Sequence, residues 1–458
     1  MRKKILIANR GEIAVRAIRA CRELDMESIA VYSKADKESL HVKYADRAVC
    51  VGDGRAAGSY LDIYKILSTA SLFEADAIYP GTGFFSENAT FAELCDRLGL
   101  LFIGAKAPIL KKLGDKILSK QIAVEAGIPV VPSTPDPVRD AEECLQAAKK
   151  IGFPVVIKAV DGGGGKGIRI VYREQDVRSS YFSCEKEAKA AFNSDKIFVE
   201  KFLDDARHVE IQVLSDTHGN VIHLYDRDCT MQRRNQKLIE EAVSPFVPDD
   251  VKQKMYRDAC NIIEYLHYPG AATVEFLVDR DMNYYFMEVN PRVQVEHPVT
   301  ELITGVDIVK EQIRIAFGEN LSIKEPPKRH GHAIEARINA EDISNGFMCS
   351  TGLITKCVFP QGSGIRVESY IQEGYKVTPF YDSMLAKIIA WADNRELAIR
   401  RLMFALDELD IQGVAVNRNL QKQLLSTPEF ANGKSNTTFV QSFIDRMGAD
   451  QGSDETKM

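Results

Sequence analysis

Apolar positions follow two rhythms along the first hundred residues. In "KKILIANRGEIAVRAIRACREL" an unbroken apolar run gives way to Ile13, Ala17 and Ala20 at helical spacing, beside Arg16, Arg19 and Glu23. That pattern predicts a buried strand turning into an amphipathic helix. The short apolar runs "SIAVYSK", "RAVCVG", "ADAIYP" and "LLFIGA" follow, alternating with helical stretches. Strand–helix alternation predicts a parallel α/β sheet, here filling an N-terminal domain over 1–113. The turn at Asn9–Arg10–Gly11, with one glycine, reads as a structural turn rather than a phosphate cradle.

A helical stretch near 114–127 leads into "IPVVPSTPDP", whose four prolines mark a linker. A compact unit follows: a helix over 140–151, "FPVVIKA", a glycine run, "IRIVY", a helix near 177–192, and "IFVEKFL". This gives a second segment, 114–203, of helical linker plus a small strand-rich unit. Residues 204–446 mix strands and helices as a larger α+β region, and the polar end, 447–458, is expected to be disordered.

Bulk properties narrow the function classes. Across 458 residues, 59 basic and 65 acidic side chains leave a net charge of −6, so no global field recruits nucleic acid. Nine cysteines occur without a CxxC pair, which predicts reduced thiols of a cytoplasmic protein rather than zinc ligands or disulfides. The apolar start of "MRKKILIANR" is too short for a signal peptide, and no apolar run is long enough to span a membrane. A soluble, cytoplasmic protein is expected.

The stretch "KAVDGGGGKGIRIV" raises a sharper question, because ordering glycine costs about 0.5–1 kcal/mol per residue relative to alanine. Gly162, Gly164 and Gly167 formally satisfy the dinucleotide fingerprint, but a strand-like run follows where that motif needs a helix. Lys166 is followed by Gly167 rather than Ser or Thr, so a P-loop fails too. Strand, glycines, strand describes a hairpin whose tip brings bare N–H groups to phosphate oxygens. A purely structural hairpin rarely needs so much glycine.

"TVEFLVDRDMNYYFMEVNPRVQVEHPVTE" carries the most chemistry. If Arg280–Asn283 forms a four-residue loop, Asp279 pairs with Tyr284 and Glu275 faces Glu288. Opposed like charges are destabilising, and a divalent cation removes the objection. Alternation puts Glu288, Asn290, Arg292, Gln294 and Glu296 on one face, and Met287, Val289, Pro291, Val293 and Val295 on the other. Carboxylate and amide oxygens suit Mg²⁺ or Mn²⁺, with ATP phosphates completing the shell. Arg292 can hold an anion and Glu296 can act as a base. An amphipathic strand with a solvated polar face is the plainer alternative.

These segments, with "RHVEIQVL", "RDCTMQRRNQK", "HAIEARINAED" and "YDSMLAKIIAW", resemble the biotin carboxylase subunit of biotin-dependent carboxylases, in the ATP-grasp superfamily, over roughly residues 1–446. The resemblance implies a parallel-sheet pre-ATP-grasp domain, an ATP-grasp fold with a mobile lid, and a C-terminal biotin carboxylase domain. It implies ATP-dependent carboxylation, by bicarbonate, of biotin carried on a separate biotin carboxyl carrier protein. Lys116, Lys158 and the lid tip Gly163, Gly164, Gly165 and Lys166 should meet ATP phosphates. Glu200, Lys201 and Leu203 should meet the adenine, and His208, Gln232 and Asn235 should also contact the nucleotide. Glu275, Glu288 and Asn290 become ligands of Mg²⁺ or Mn²⁺, with two ions expected.

The catalytic set implied is Lys237, Arg292, Gln294, Val295, Glu296 and Arg337. Lys237 and Arg292, with the backbone near Val295, should hold bicarbonate. Glu296 should deprotonate it to form carboxyphosphate, and Arg337 should stabilise the biotin oxyanion. Asn235 stands where relatives carry His, and Thr82 where they carry Tyr. No "AMKM"-like attachment site occurs, which implies separate carrier and carboxyltransferase polypeptides. Arg16, Arg19, Glu23 and Arg366 match a charged homodimer interface. The alternatives are another ATP-grasp ligase, joining a carboxylate to an amine, and a non-catalytic ATP-binding regulatory subunit; the final carboxyl acceptor, acetyl-CoA, propionyl-CoA, pyruvate or 2-oxoglutarate, stays open.

Overall fold

The structure, a computed structural model, describes residues 2–159, 167–192 and 196–455. The first apolar runs become β1 (Lys4–Ile7), β2 (Glu27–Ser33), β3 (Arg47–Gly52), β4 (Ala77–Tyr79) and β5 (Leu101–Phe102), as expected. They form a parallel sheet in the order β3-β2-β1-β4-β5. Both faces are covered, so these strands read as near-continuous apolar runs. The helix Gly11–Glu23 buries Ile13, Ala17 and Ala20 against the sheet.

The lid-like unit has its own core. Strands β6 (Val155–Ala159), β7 (Ile168–Val171) and β8 (Ile197–Lys201) pair antiparallel in the order β7-β6-β8. Val155, Ile157 and Val199 pack with Leu145 of the helix Ala141–Ile151 and Tyr181 of the helix Val177–Phe192. Gly163, Gly164, Gly165 and Lys166 lie outside the described residues. Gly167, which closes the run, has φ +70 and only 3.2 Å between a built Cβ and the Ala159 side chain, so both conformation and space require glycine.

The rest of the chain is organised by β9 (Arg207–Ser215), β10 (Val221–Arg233), β11 (Gln236–Ala242), β12 (Gly270–Val278), β13 (Tyr284–Asn290), β14 (His332–Asn339), β15 (Ile365–Ser369) and β16 (Met384–Ala392). Among the described residues they form one antiparallel sheet, ordered β13-β12-β9-β10-β11-β14-β16-β15. Helices Asp249–Tyr265 and Arg395–Glu408 cover its apolar faces, with Ile262 and Leu402 fully buried.

Three expectations need correction. The β12–β13 hairpin pairs Val278, not Asp279, with Tyr284, because the Asp279 side chain accepts from the Asp281 and Asn283 N–H groups and tightens the loop. A bulge between Glu275 and Phe276 absorbs the slip, so Glu275 still faces Glu288. The strand also stops at Asn290 instead of running to Glu296. Pro291 cannot donate to a ladder, and the Arg292 N–H turns back onto the Asn290 carbonyl at 2.9 Å. Glu296 then stands at the N-cap position of the helix His297–Thr304. Finally, the helix Phe439–Glu455 continues into the polar end where disorder was expected. Its first turn is anchored by buried Phe439 and Val440, and extending an anchored helix is easier than nucleating one.

Among the described residues no helix is long and apolar enough to cross a membrane. All nine cysteines are free thiols.

Candidate active site

A cleft of about 1060 Å³ separates the loops after β1 and β4 from the polar face of the large sheet. Ligand crevices form outside the carboxyl ends of parallel strands, and Asn9, Arg10 and Thr82 occupy those ends here. The opposite wall carries His208, Gln232, Asn235, Lys237, Glu275, Glu288, Asn290, Arg292, Gln294, Val295, Glu296 and Arg337. Residues predicted from distant segments therefore converge. Met287 and Val295, placed on the apolar back by strict alternation, also line the cleft, because the bulge and the chain turn at Pro291 rotate them forward.

Lys237 sits at the centre. Its Nζ donates to Glu210 Oε2 at 2.6 Å, Glu296 Oε1 at 2.6 Å and Glu275 Oε1 at 3.1 Å. Burial disfavours the ammonium, but Cys229, Glu210, Glu275 and Glu296 together hold its pKa well above the ordinary value. Glu296 is fully buried and also accepts from Arg337 Nη2 at 3.0 Å. Burial pushes its pKa up, and Lys237, Arg337 and Arg227 more than reverse that, holding it well below the usual carboxylate range. Burial also opposes ionisation of Glu275, yet Lys237 and His208, whose Nε2 lies 3.0 Å from Oε2, keep it ionised.

The expected metal ligands are adjacent. Glu275 and Glu288 face each other across β12 and β13, and Asn290 Nδ2 donates to Glu288 Oε1 at 3.3 Å. Glu288 is pushed up by burial and by the Glu275 charge, the repulsion a bound cation relieves. Carboxylate and amide oxygens fit a hard divalent ion. Two other ligand-like groups, His208–Glu210–Glu275 and Glu210–Cys229–Glu296, surround the position that Lys237 already fills. Arg292 bridges outward, donating to Gln294 Oε1 at 2.7 Å, to Asn290 Oδ1 at 3.0 Å and to Glu87. Gln294 Nε2 reaches Glu275 Oε1 at 3.0 Å.

The nucleotide-contact candidates divide. Lys158 pairs with Glu200, which also accepts from Lys120 at 2.7 Å. The Lys201 ammonium is committed to the Gly152 and Phe153 carbonyls, both at 2.9 Å, and its backbone N–H donates to the Pro132 carbonyl at 2.8 Å. Leu203 is half-buried just beyond β8, and Lys116 opens the helix Lys116–Glu125. Gln232 Nε2 lies 3.4 Å from His208 Nδ1. Asn235 has a physical reason to differ from His. Arg234 and Asn235 form the two-residue β10–β11 turn with φ 49 and 64, a left-handed pair that asparagine accepts readily. Thr82 Oγ1 sits 3.5 Å from Arg292, and its carbonyl accepts from Asn9 at 2.7 Å.

Several residues at the floor escaped the sequence reading. Arg227, fully buried, donates to Glu210, to Gln212 Oε1 at 2.8 Å and to Thr300 Oγ1 at 3.0 Å. Glu240 accepts from Arg337 Nε at 2.6 Å, and burial raises its pKa to about 7 against the pull of Arg337. Lys120 was likewise unforeseen. The available signal was charge in the interior of strand-like runs, such as Glu210 in "RHVEIQVL" and Arg227 in "YDRDCT".

Comparison with known proteins identifies the family. Family models match in three consecutive parts: biotin carboxylase N-terminal domain over 1–110, carbamoyl-phosphate synthase L chain ATP binding domain over 115–324, and biotin carboxylase C-terminal domain over 335–442. Biotin carboxylase 1 of Bacillus subtilis is 47% identical over 451 residues, covering 98% of this chain and all of that protein. Biotin carboxylase of Haemophilus influenzae is 47% identical over 443 residues, covering 96% and 98%. The beta-gamma-ATP complex of biotin carboxylase from Campylobacter jejuni superposes with a TM-score of 0.92 at 43% identity, covering 96% and 99%. The biotin carboxylase domain dimer of Hydrogenobacter thermophilus 2-oxoglutarate carboxylase, solved with MgADP, ADP and bicarbonate, gives 0.91 at 43% identity, covering 96% and 98%. With matches of this kind along nearly its whole length, the chain belongs to the biotin carboxylase family.

Proposed function

We propose that the cleft performs the family's ATP-dependent carboxylation of biotin through carboxyphosphate, with the biotin borne by a separate carrier protein. The observation that carries this reading is Lys237, Arg337 and Glu296 converging on one buried point beside Arg292 and the opposed Glu275/Glu288 pair. Bicarbonate binds between Arg292, Lys237 and the peptide near Val295. An anion there draws Lys237 and Arg292 away from their carboxylates, which frees Glu296 and raises its proton affinity.

Glu296 takes the bicarbonate proton, and a bicarbonate oxygen attacks the γ-phosphorus of ATP. The β–γ bridging P–O bond breaks, ADP leaves, and carboxyphosphate remains. The bond from its carboxyl carbon to the bridging oxygen then cleaves to give CO₂ and phosphate, and the phosphate removes the ureido N–H proton so that the nitrogen attacks CO₂. Arg337, always charged, faces the developing ureido oxyanion. Glu275, Glu288 and Asn290 would hold Mg²⁺ or Mn²⁺, which offsets phosphate charge when bound. Lys116, Lys158 and the glycine tip meet the phosphates, and the β8 end meets the adenine.

The finer assignments follow the same logic. A homodimer would use exposed Arg19 and Glu23, now 3.5 Å from Glu368 and 2.6 Å from Lys310 within the chain, together with Arg366. Arg16 is buried against Glu301 and Asp307 and supports that face from behind. Nine unpaired thiols suit a cytoplasmic enzyme.

Replacing Arg292 with Ala tests the reading. Bicarbonate-dependent turnover is expected to fall by about 10²-fold or more while ATP binding measured by calorimetry persists. Unchanged turnover would refute the assignment.

A further inference from the structure

The strand β16 carries a lysine in the middle of "MLAKIIAWA", a run with no other charge. Lys387 is fully buried, and nothing in the mechanism above uses it. It pairs directly with Arg337 on β14 and with Glu368 on β15. Two cations opposed on one face repel, so an apolar residue would be the easier choice for the fold alone.

Its contacts give a reason. Lys387 Nζ donates to the Val295 carbonyl at 2.7 Å and lies 3.0 Å from Glu12 Oε2, on the helix after β1. The neighbouring carbonyl, of Gln294, accepts from His297 Nδ1 at 2.8 Å. A trans peptide is planar, so fixing a carbonyl on one side directs the next N–H to the opposite side. Pinning the Gln294 carbonyl therefore orients the Val295 N–H, and pinning the Val295 carbonyl orients the Glu296 N–H. Neither N–H has a partner among the described residues, and both residues line the cleft. Successive free N–H groups of this kind form an anion-binding concavity.

We propose that Lys387, backed by Glu12, is a positioning residue that holds the Val295–Glu296 peptide in the orientation that receives bicarbonate. Arg337 and Lys387, paired in register, grip consecutive residues: Arg337 the Glu296 carboxylate, Lys387 the Val295 carbonyl. Glu335 and Glu368 also face Lys387 and add to the field that keeps it charged in the interior. The inference rests on the proposed bicarbonate position.

The test compares Lys387→Met, Glu12→Gln and the double variant, using free biotin as substrate. Lys387→Met alone strands a buried carboxylate, so lower thermal stability is expected from it whatever its role. The double variant removes both charges of the direct pair while Glu368 keeps Arg366, and is expected to regain most of the thermal midpoint lost in Lys387→Met. Its kcat/KM for bicarbonate is nonetheless expected to fall about tenfold, the loss of one charge-assisted hydrogen bond, with the KM for ATP within about twofold. A folded double variant with parental bicarbonate kinetics overturns the proposal. Should the double variant not fold, Glu12→Gln alone is read: a selective rise in bicarbonate KM supports the proposal, and no change overturns it. Arg292→Ala run in parallel separates the two levels. If it impairs bicarbonate use and the Lys387 series does not, only the positioning role fails. If neither does, the bicarbonate position itself is wrong.

Discussion

The cleft has two ionic centres of opposite bias. Under the lid, Glu200 holds two ammonium groups, Lys120 and Lys158. At the floor, Lys237 is shared by three carboxylates, Glu210, Glu275 and Glu296. With Glu240 and Glu288 beside them, the floor carboxylates outnumber Lys237, Arg227 and Arg337, so the lid centre has surplus positive charge and the floor surplus negative charge. That division suits a triphosphate lying between them, with anionic oxygens toward the lid and a divalent cation toward the floor. The two also differ in exposure. The lid lysines Lys158 and Lys120 are 27% and 19% exposed and come from different elements, Lys158 from β6 and Lys120 from a linker helix. The floor carboxylates Glu210 and Glu296 are fully buried, as is Arg227 behind them. In the proposed function the exposed centre is the one that admits nucleotide, and the buried one is the one that places the proton.

The largest difference is expected from Lys237→Met. It removes the one cation shared by Glu210, Glu275 and Glu296 and leaves Glu210 and Glu296 to Arg227 and Arg337, so unfolding free energy measured in urea should drop by about 3–5 kcal/mol. Turnover should fall by about 10²–10⁴-fold. A variant of parental stability would mean that the floor charges are screened after all, and the comparison would lose its basis. At the other end, Lys120→Ala should raise the KM for ATP only about three- to tenfold and leave stability within about 1 kcal/mol, because Glu200 keeps Lys158 as a partner. Burial and nearby Lys158 already hold the Lys120 ammonium below its ordinary pKa despite Glu200. A stability loss as large as that of Lys237→Met would place both centres in one class.

Much of this was legible in the sequence because it is local. The parallel sheet, the three-stranded lid and the Glu275/Glu288 opposition all follow from spacings within a few residues. The opposition was right for a partly wrong reason, since the hairpin slips at Asp279 and a bulge restores the pairing. The predicted ribbon to Glu296 failed at Pro291, where the missing N–H ends the ladder. The right residues still converged, because the following turn and helix carry Glu296 back over the cleft. What stayed hidden depends on partners far apart in the chain. Arg337 meets Glu240 across 97 residues and Lys387 meets Val295 across 92. No periodicity links such pairs: the first is set by the β11–β14 pairing, the second by the turn and helix after β13 lying against β16.

The central claim is that the buried floor, through Glu296, delivers the proton step that lets bicarbonate become the carboxyl donor. The direct measurement is transfer of labelled carbon from bicarbonate to free biotin by Glu296→Gln, which keeps shape and removes the base. The account predicts ATP-dependent labelling by the parent and labelling at least about 100-fold slower in the variant, with ATP binding retained. Labelling at the parental rate would contradict it.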